Sequence, residues 1–342
     1  MIDRHFGEST PFSVGVEEEM MILDAETYEP VAAVDVLLRG AEGLSLPGTL
    51  KTELHASVVE LTTGVCATVD EAVEALAELR HAAGEIAQAN GLCIAAAGAH
   101  PTARPEDLPV VQEERYLSMV RTVGYAARLQ GVNGLHVHVG VGSAAECYAR
   151  LEAVLPWLPV VLALSANSPF VSGFATGMWS NRAPILAELP RSGAPPAFGT
   201  YEGWEEWIER LVAIGVLKDY TRVWWDIRPH PRFGTLEIRM PDQPTSLERT
   251  ALLVRLVREL VETAPPVEPD PARRGDYAQN RWAAARKGLD AELIDPRGDG
   301  LVAARVLATE LLGEEPPQPE AARQLELGPE AAAADLVDRT LG

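Results

Sequence analysis

Hydrophobic and polar residues follow two periods along this chain, one of two and one of three-to-four. The period of two predicts strands over residues 12–23, 52–62, 93–98 and 134–141, and over the neighbouring segments 223–228 and 234–240. Pro229, Pro231 and Gly234 lie around the join of the last two and predict a hairpin-like connection. Between the first two strands come a turn-rich stretch over 24–30 and a short helix over 34–41. The longer period predicts helices elsewhere. Thr68 and Glu71 form a capping-box pattern ahead of Val73, Leu76, Leu79, Ala83 and Ile86, whose spacing marks an amphipathic helix ending near Asn90 and Gly91. Further helices are predicted over 113–130, over 144–165 with a break at Pro156 or Pro159, and over 202–215. Thr245 with Glu248 is expected to cap a long helix through Leu252, Leu256 and Leu260 that stops at Pro265. Strands and helices mix without a regular βαβ rhythm, which gives α+β as the fold class, with a mostly antiparallel sheet flanked by helices.

No internal repeat interrupts this pattern, and residues 1–313 read as a single domain. From Gly313 onward Glu, Pro and Ala dominate, so residues 314–342 are expected to form an appended extension with one weak helix over 329–341. With 342 residues, 47% of them apolar, the chain can build a sizeable core. The leading stretch, MIDRHFGESTPF, lacks the apolar run of a secretory signal, and no later stretch is an uninterrupted apolar run of membrane-spanning length. These features predict a cytoplasmic protein that does not engage a membrane. Cys66, Cys93 and Cys147 are too far apart for a CxxC pair, against both a disulfide framework and a thiolate metal site. The net charge of −21 argues against nucleic acid as a partner. It also means that a polyanion such as ATP could bind only through divalent cations.

The charged residues on the strands are where chemistry is expected. In GVEEEM, alternation puts Glu17 and Glu19 on one face, with Val16, Glu18 and Met20 on the other. Paired carboxylates are either a solvated face or a site for a hard cation. In GLHVHVG, His136 and His138 share a face, as core histidines or as ligands for a metal or phosphate. In GTLEIRMPD, Glu237 and Arg239 share a face, as a salt bridge or as a metal ligand beside a phosphoryl-neutralising guanidinium. Asp226 and Arg228 repeat the theme on the next strand. Glu53 and Glu60, seven apart, would point oppositely in one regular strand, so both can serve one site only if Ala56 and Ser57 form a bulge or turn. Arg182 follows Asn181 in a Gly-, Ser- and Pro-rich loop that could be mobile. No GxSxG, P-loop, HExxH or GxGxxG is present, which leaves metal-assisted phosphoryl or acyl chemistry on a sheet surface.

The segments GVEEEM, VVELTTGVC, GAHP, GLHVHVG, ALSANSP, SNRAP, WWDIRPHPRFGTLEIRMPD and NRWAAARKGLDAELIDP occur in an order that resembles the type-2 glutamate–cysteine ligases and related carboxylate–amine ligases. The resemblance implies a single catalytic domain with a glutamine-synthetase-like sheet. It implies Glu17, Glu19, Glu53, Glu60, His136 and Glu237 as ligands of Mg2+ or Mn2+. It further implies that His138, Arg182, Arg228 and Arg239 contact phosphates or the substrate carboxylate, the three arginines being the catalytic set. The implied reaction uses ATP to activate a carboxylate as an acyl phosphate, which an amine attacks to give an amide. Glutamate and cysteine are the default pair, with another acid and amine, or a binding module without turnover, as alternatives. A homodimer is what the resemblance suggests. Position 53 is Glu where such ligases more often carry Asp, and Ala99 stands where a hydroxyl residue is common.

Overall fold

Val14–Asp24 (β1) is the spine of the molecule, and the computed structural model describes residues 2–298 and 300–341 around it. Residues 1, 299 and 342 lie outside the described residues; the first and last belong to the leading stretch and the extension named above. β1 is long enough to pair on both edges. Gly48–Thr52 (β2), Val58–Thr63 (β3), Leu92–Ala95 (β4), Leu135–Gly140 (β5), Ile227–His230 (β6) and Thr235–Ile238 (β7) join it in one seven-stranded sheet. Its order is β6-β7-β5-β1-β3-β2, with β4 pairing the far half of β1, and every pairing is antiparallel.

The strand alternation divides the sheet into two faces. Val16, Val137, Val139, Leu236 and Ile238 point into a core shared with the helices Ala144–Val154, Leu158–Ser165 and Leu247–Thr263. Met20, Ile22, Val59 and Leu61 pack with Leu79 and Ala83 of helix Val69–Gln88. Each such fully buried side chain contributes roughly 1.5–3 kcal/mol, so the helical layer fixes which face of β1 is left for the charged residues. Helix Val69–Gln88 starts as expected: the Thr68 hydroxyl accepts the Glu71 N–H, and the Glu71 carboxylate accepts the Ala67 N–H.

Several boundaries differ from expectation. Residues 52–62 are not one strand: the chain turns at Ala56 and Ser57, with the Val58 N–H donating to the His55 carbonyl, and Glu53 lies between β2 and β3. Helix 113–130 is split at Gly124, whose φ of +76° ends Glu114–Val123 before the short helix Tyr125–Arg128. The long C-terminal-half helix is capped by Ser246, whose hydroxyl accepts the Arg249 N–H. Thr245 is unavailable because it is buried, its hydroxyl accepting from Asn167 and its N–H donating to Glu320. Residues 144–165 are long and apolar enough by composition to cross a membrane, but 151–155 and 158–165 among them are buried in the protein and Pro156 breaks the span within Leu155–Trp157.

Residues 314–341 carry two helices, Glu320–Leu327 and Pro329–Thr340, where one was expected. They pack against the catalytic strand's surroundings: Leu336 sits with Met21, Leu23, Ala95 and Ala97, and the Thr340 hydroxyl accepts the Ala96 N–H. Glu18 shares a face with Val16 and Met20, toward helix Val69–Gln88, as alternation requires, and it is fully buried. Its carboxylate takes two N–H bonds from Arg80, 2.7 and 2.6 Å, and further bonds from Gln243 and Thr250. Arg80 also donates to the carbonyls of Thr245 and Thr340.

Candidate active site

On the other face the antiparallel register lines up the expected residues in rows. Glu17 stands opposite His136, Glu19 opposite Glu60, and Glu237 opposite both His138 and Arg228. The turn at Ala56 and Ser57 brings Glu53 back to the same face. Two clusters result. Glu17, His138 and Glu237 offer ligand atoms all within 4.8 Å of one another, and so do Glu19, Glu53 and Glu60. His136 bridges the clusters: its Nδ1 lies 3.0 Å from Glu17 and its Nε2 3.8 Å from Glu19. His138, expected as a phosphate contact, thus stands in a three-ligand group, and His136, expected as a ligand, stands between the two groups. His138 Nε2 sits 3.6 Å from Glu17, close enough to attract but too long for a hydrogen bond, and has no hydrogen-bond partner.

Electrostatics separate the clusters. Burial and the neighbouring Glu53 charge push Glu19 up to about 8, despite the nearby Arg182 and a short bond from the Gly134 N–H. Burial, Glu17 and Glu53 push Glu60 up to about 7, with only Lys51, 3.3 Å away, and Thr62 in opposition. Burial likewise raises Glu53. In the other cluster burial acts upward on Glu17 and Glu237, but His136 and His138 outweigh it for the first, and Arg228 and Arg239 for the second, so both stay well below the usual carboxylate range. Three crowded carboxylates, each pushed upward by burial, form a set that a hard cation would relieve, since oxygen ligands suit Mg2+ or Mn2+.

The three arginines differ in what they have left to offer. Arg228 forks onto Glu237 and gives its Nη1 to the Thr221 and Val223 carbonyls, so it orients Glu237. Arg239 gives Nη1 to Glu237 at 2.6 Å, while its buried Nε has no partner. Arg182 is not in a mobile loop. It begins the helix Arg182–Ala187, is buried, and donates to the carbonyls of Met240 and Arg239. Its backbone N–H is fixed by Ser168, which Asp242 holds in turn. A side chain at Gly134 would come within 2.1 Å of the Arg182 guanidinium, which explains the glycine there. Asp226 stays outside the site: it is fully buried and pairs with Arg281 and Tyr277.

Two cavities meet at β1. The larger, about 420 Å³, has Val14–Glu17 as its floor, Thr62–Val65 on one side, Arg232, Phe233 and Thr235 on the other, and reaches His138. The smaller, about 90 Å³, is bordered by Glu19, Glu53, His136, Arg182 and Arg239. Sequence reading missed His55 and Gln130, which also border it. His55 is buried with neither ring nitrogen bonded, and burial lowers it to about 4, so the imidazole is neutral. Gln130 gives both amide hydrogens to the Ala126 and Ile185 carbonyls, which leaves Oε1 as a buried acceptor without a partner. Only the spacing Glu53-Leu54-His55, two positions apart, could have hinted at His55.

The cysteines stand apart from both cavities. Cys147 is fully buried with its thiol raised by burial, burial raises Cys93 to about 11, and Cys66 is raised as well, so all three are neutral thiols at neutral pH. A Cys66→Ala, Cys93→Ala, Cys147→Ala variant is expected to keep turnover within a few-fold. Loss of turnover by orders of magnitude in a folded variant would reveal a thiolate step.

The sequence profile of glutamate–cysteine ligase family 2 matches residues 13–332. A Rubrobacter xylanophilus protein with the provisional name glutamate–cysteine ligase 2-3 is 40% identical over 312 residues, covering 91% of this chain and 85% of its own. The glutamate–cysteine ligase of Haloferax volcanii is 38% identical over 296 residues, covering 85% and 82%. Among solved structures, glutamate–cysteine ligase from Francisella tularensis in complex with AMP superposes with a TM-score of 0.71 at 15% identity, over 97% of this chain and 89% of the other. At that identity the likeness is one of fold, and it covers the glutamate-lined antiparallel sheet described here.

Proposed function

The chain belongs to glutamate–cysteine ligase family 2, a family of ligases, and from that premise we propose that it joins a carboxylate to an amine with consumption of ATP. Glutamate and cysteine are the pair that the family's name supports. The observation that carries the reading is the placement of two carboxylate-rich clusters on one sheet face between two cavities. The larger cavity takes the nucleotide, with its phosphates toward Glu17 and His138, and the smaller takes the acid beside Glu53 and Arg239.

Glu17, His138 and Glu237 would hold one divalent cation and Glu19, Glu53 and Glu60 another, with His136 in reach of both sets. Such cations supply charge neutralisation between the phosphates and the carboxylates of the protein. The chain's own residues do the rest. Arg228 keeps Glu237 in place, Arg182 and Arg239 offset charge on the moving phosphoryl group and the acid, and Gly134 leaves room for the Arg182 guanidinium. The acid's carboxylate oxygen takes the γ-phosphoryl group, releasing ADP. The amine nitrogen then bonds to the acyl carbon, the phosphate leaves with the C–O electron pair, and the nitrogen gives up a proton. An ATP-dependent synthesis of this kind fits a cytoplasmic setting.

ADP release is expected to depend on Mg2+ or Mn2+, to rise when glutamate and cysteine are both present, and to stop with EDTA. A screen of other acid and amine pairs, with mass spectrometry of the products, identifies the substrates if that pair fails. ADP release unaffected by EDTA would sink the proposal.

A further inference from the structure

A third cavity, of about 310 Å³, adjoins the small catalytic one, and Met119 and Trp224 border both. Its charged lining consists of Arg191, Lys218 and Arg222, with no Asp or Glu. The chain holds 50 acidic against 29 basic residues, so three cations gathered on one cavity without a carboxylate run against its composition. None of the three forms an ion pair among the described residues. Arg191 gives its Nε to the Arg222 carbonyl, 3.2 Å, and Arg222 gives Nη2 to the Arg115 carbonyl, 3.2 Å. Carbonyl oxygens carry no net charge, so the mutual repulsion of the cations remains.

Two further features mark the place as built for something. The Arg191 guanidinium lies 5.6 Å over the Trp224 ring, on the side chain that separates this cavity from the catalytic one. Arg191 also adopts φ +61°, a left-handed conformation that residues bearing a Cβ seldom take. The parallel pairing of Ser192 and Gly193 with Trp224 and Trp225, and the bond from the Trp224 N–H to the Arg191 carbonyl, hold that conformation in place.

We propose that this cavity is a cationic antechamber of the acid site, which gathers acids of net negative charge, a dicarboxylic amino acid above all, and selects them over neutral zwitterions with a single carboxylate. The inference rests on the ligase reading for its substrate and on the cation cluster for its location. Low-dielectric walls focus the field of like charges, so a cluster of this kind raises the local concentration of anions and their rate of entry by tenfold or more at low salt. The catalytic carboxylates would otherwise repel such a substrate. The antechamber supplies the opposite field on the side away from the nucleotide cavity.

The test compares L-glutamate with 4-aminobutyrate, which keeps a reactive carboxylate but lacks the second one. In the unmodified enzyme kcat/KM for glutamate should fall steeply with added salt, and that for 4-aminobutyrate should not. In a Lys218→Gln, Arg222→Gln variant the preference for glutamate is expected to fall about tenfold and its salt dependence to flatten. An unchanged preference together with an unchanged salt slope overturns the antechamber. If the unmodified enzyme turns over no acid at all, it is the ligase reading that fails, and the cavity is tested without turnover. The Trp224 contribution to fluorescence, taken by difference from Trp224→Phe, should be quenched by iodide at least twofold less in the double variant, with acrylamide as the uncharged control. Equal iodide quenching in both proteins overturns the proposal.

Discussion

Glu19→Gln is expected to cut turnover about a hundredfold, on the order of 3 kcal/mol of transition-state stabilisation, in a protein that still folds. The substitution keeps the shape of the side chain and can still accept the Gly134 N–H, but it removes one of three carboxylates that crowd together with Glu53 and Glu60. Removing a charge from a repelling set should not harm, and could even raise, the stability of the cation-free protein. The loss should therefore show in the cation requirement, with more Mg2+ needed for half-maximal ADP release. Turnover equal to that of the unmodified enzyme at the same Mg2+ concentration would mean that this cluster holds no essential cation.

One position earlier, Glu18→Gln should do the reverse. It leaves the cation requirement alone and costs roughly 3–5 kcal/mol of folding stability, because it strands the Arg80 guanidinium, 1% exposed, without a countercharge. Alternation along β1 puts Glu18 on the face with Val16 and Met20, and there it meets the buried Arg80. Denaturant unfolding of the variant, with ADP release measured on the folded fraction, separates the two effects. A midpoint unchanged from the unmodified protein would show that the Glu18–Arg80 pair contributes nothing. Exchanging both partners for apolar residues of similar volume should recover much of the loss, since the pair is costly chiefly when broken.

Period-two alternation alone placed Glu17, Glu19, His136, His138 and Glu237 on the strands that carry them, with Arg239 one residue past the end of β7, because a strand's side-chain direction is a local property. The partnership of those strands was not local. Glu60 meets Glu19 through the register of β1 and β3, and Glu53 joins them only through the turn at Ala56 and Ser57, which no Gly or Pro marks. In the sequence Arg228 reads with Asp226, but its bonds go to Glu237 and to the Thr221 and Val223 carbonyls, which only the folded hairpin brings together. Gln130 was invisible for a related reason. What distinguishes it is an acceptor left without a partner once two carbonyls, one of them 55 positions away, have taken its amide hydrogens. The Ser246 cap was displaced from Thr245 by burial, a tertiary effect that the pattern of Thr and Glu could not reveal.

The clasp between Arg80 and the Thr340 carbonyl joins positions 260 residues apart. During translation β1 and helix Val69–Gln88 leave the ribosome long before the segment that completes their buried cation's shell. At roughly 5–20 residues per second the interval is on the order of tens of seconds. Until residue 340 has been made Arg80 lacks the Thr340 carbonyl and Ala96 its hydroxyl acceptor, and for the first 165 residues of that interval Arg80 lacks the Thr245 carbonyl as well. The buried pair beneath the strand that carries Glu17 and Glu19 thus gains its last carbonyl only after residue 340 has been made.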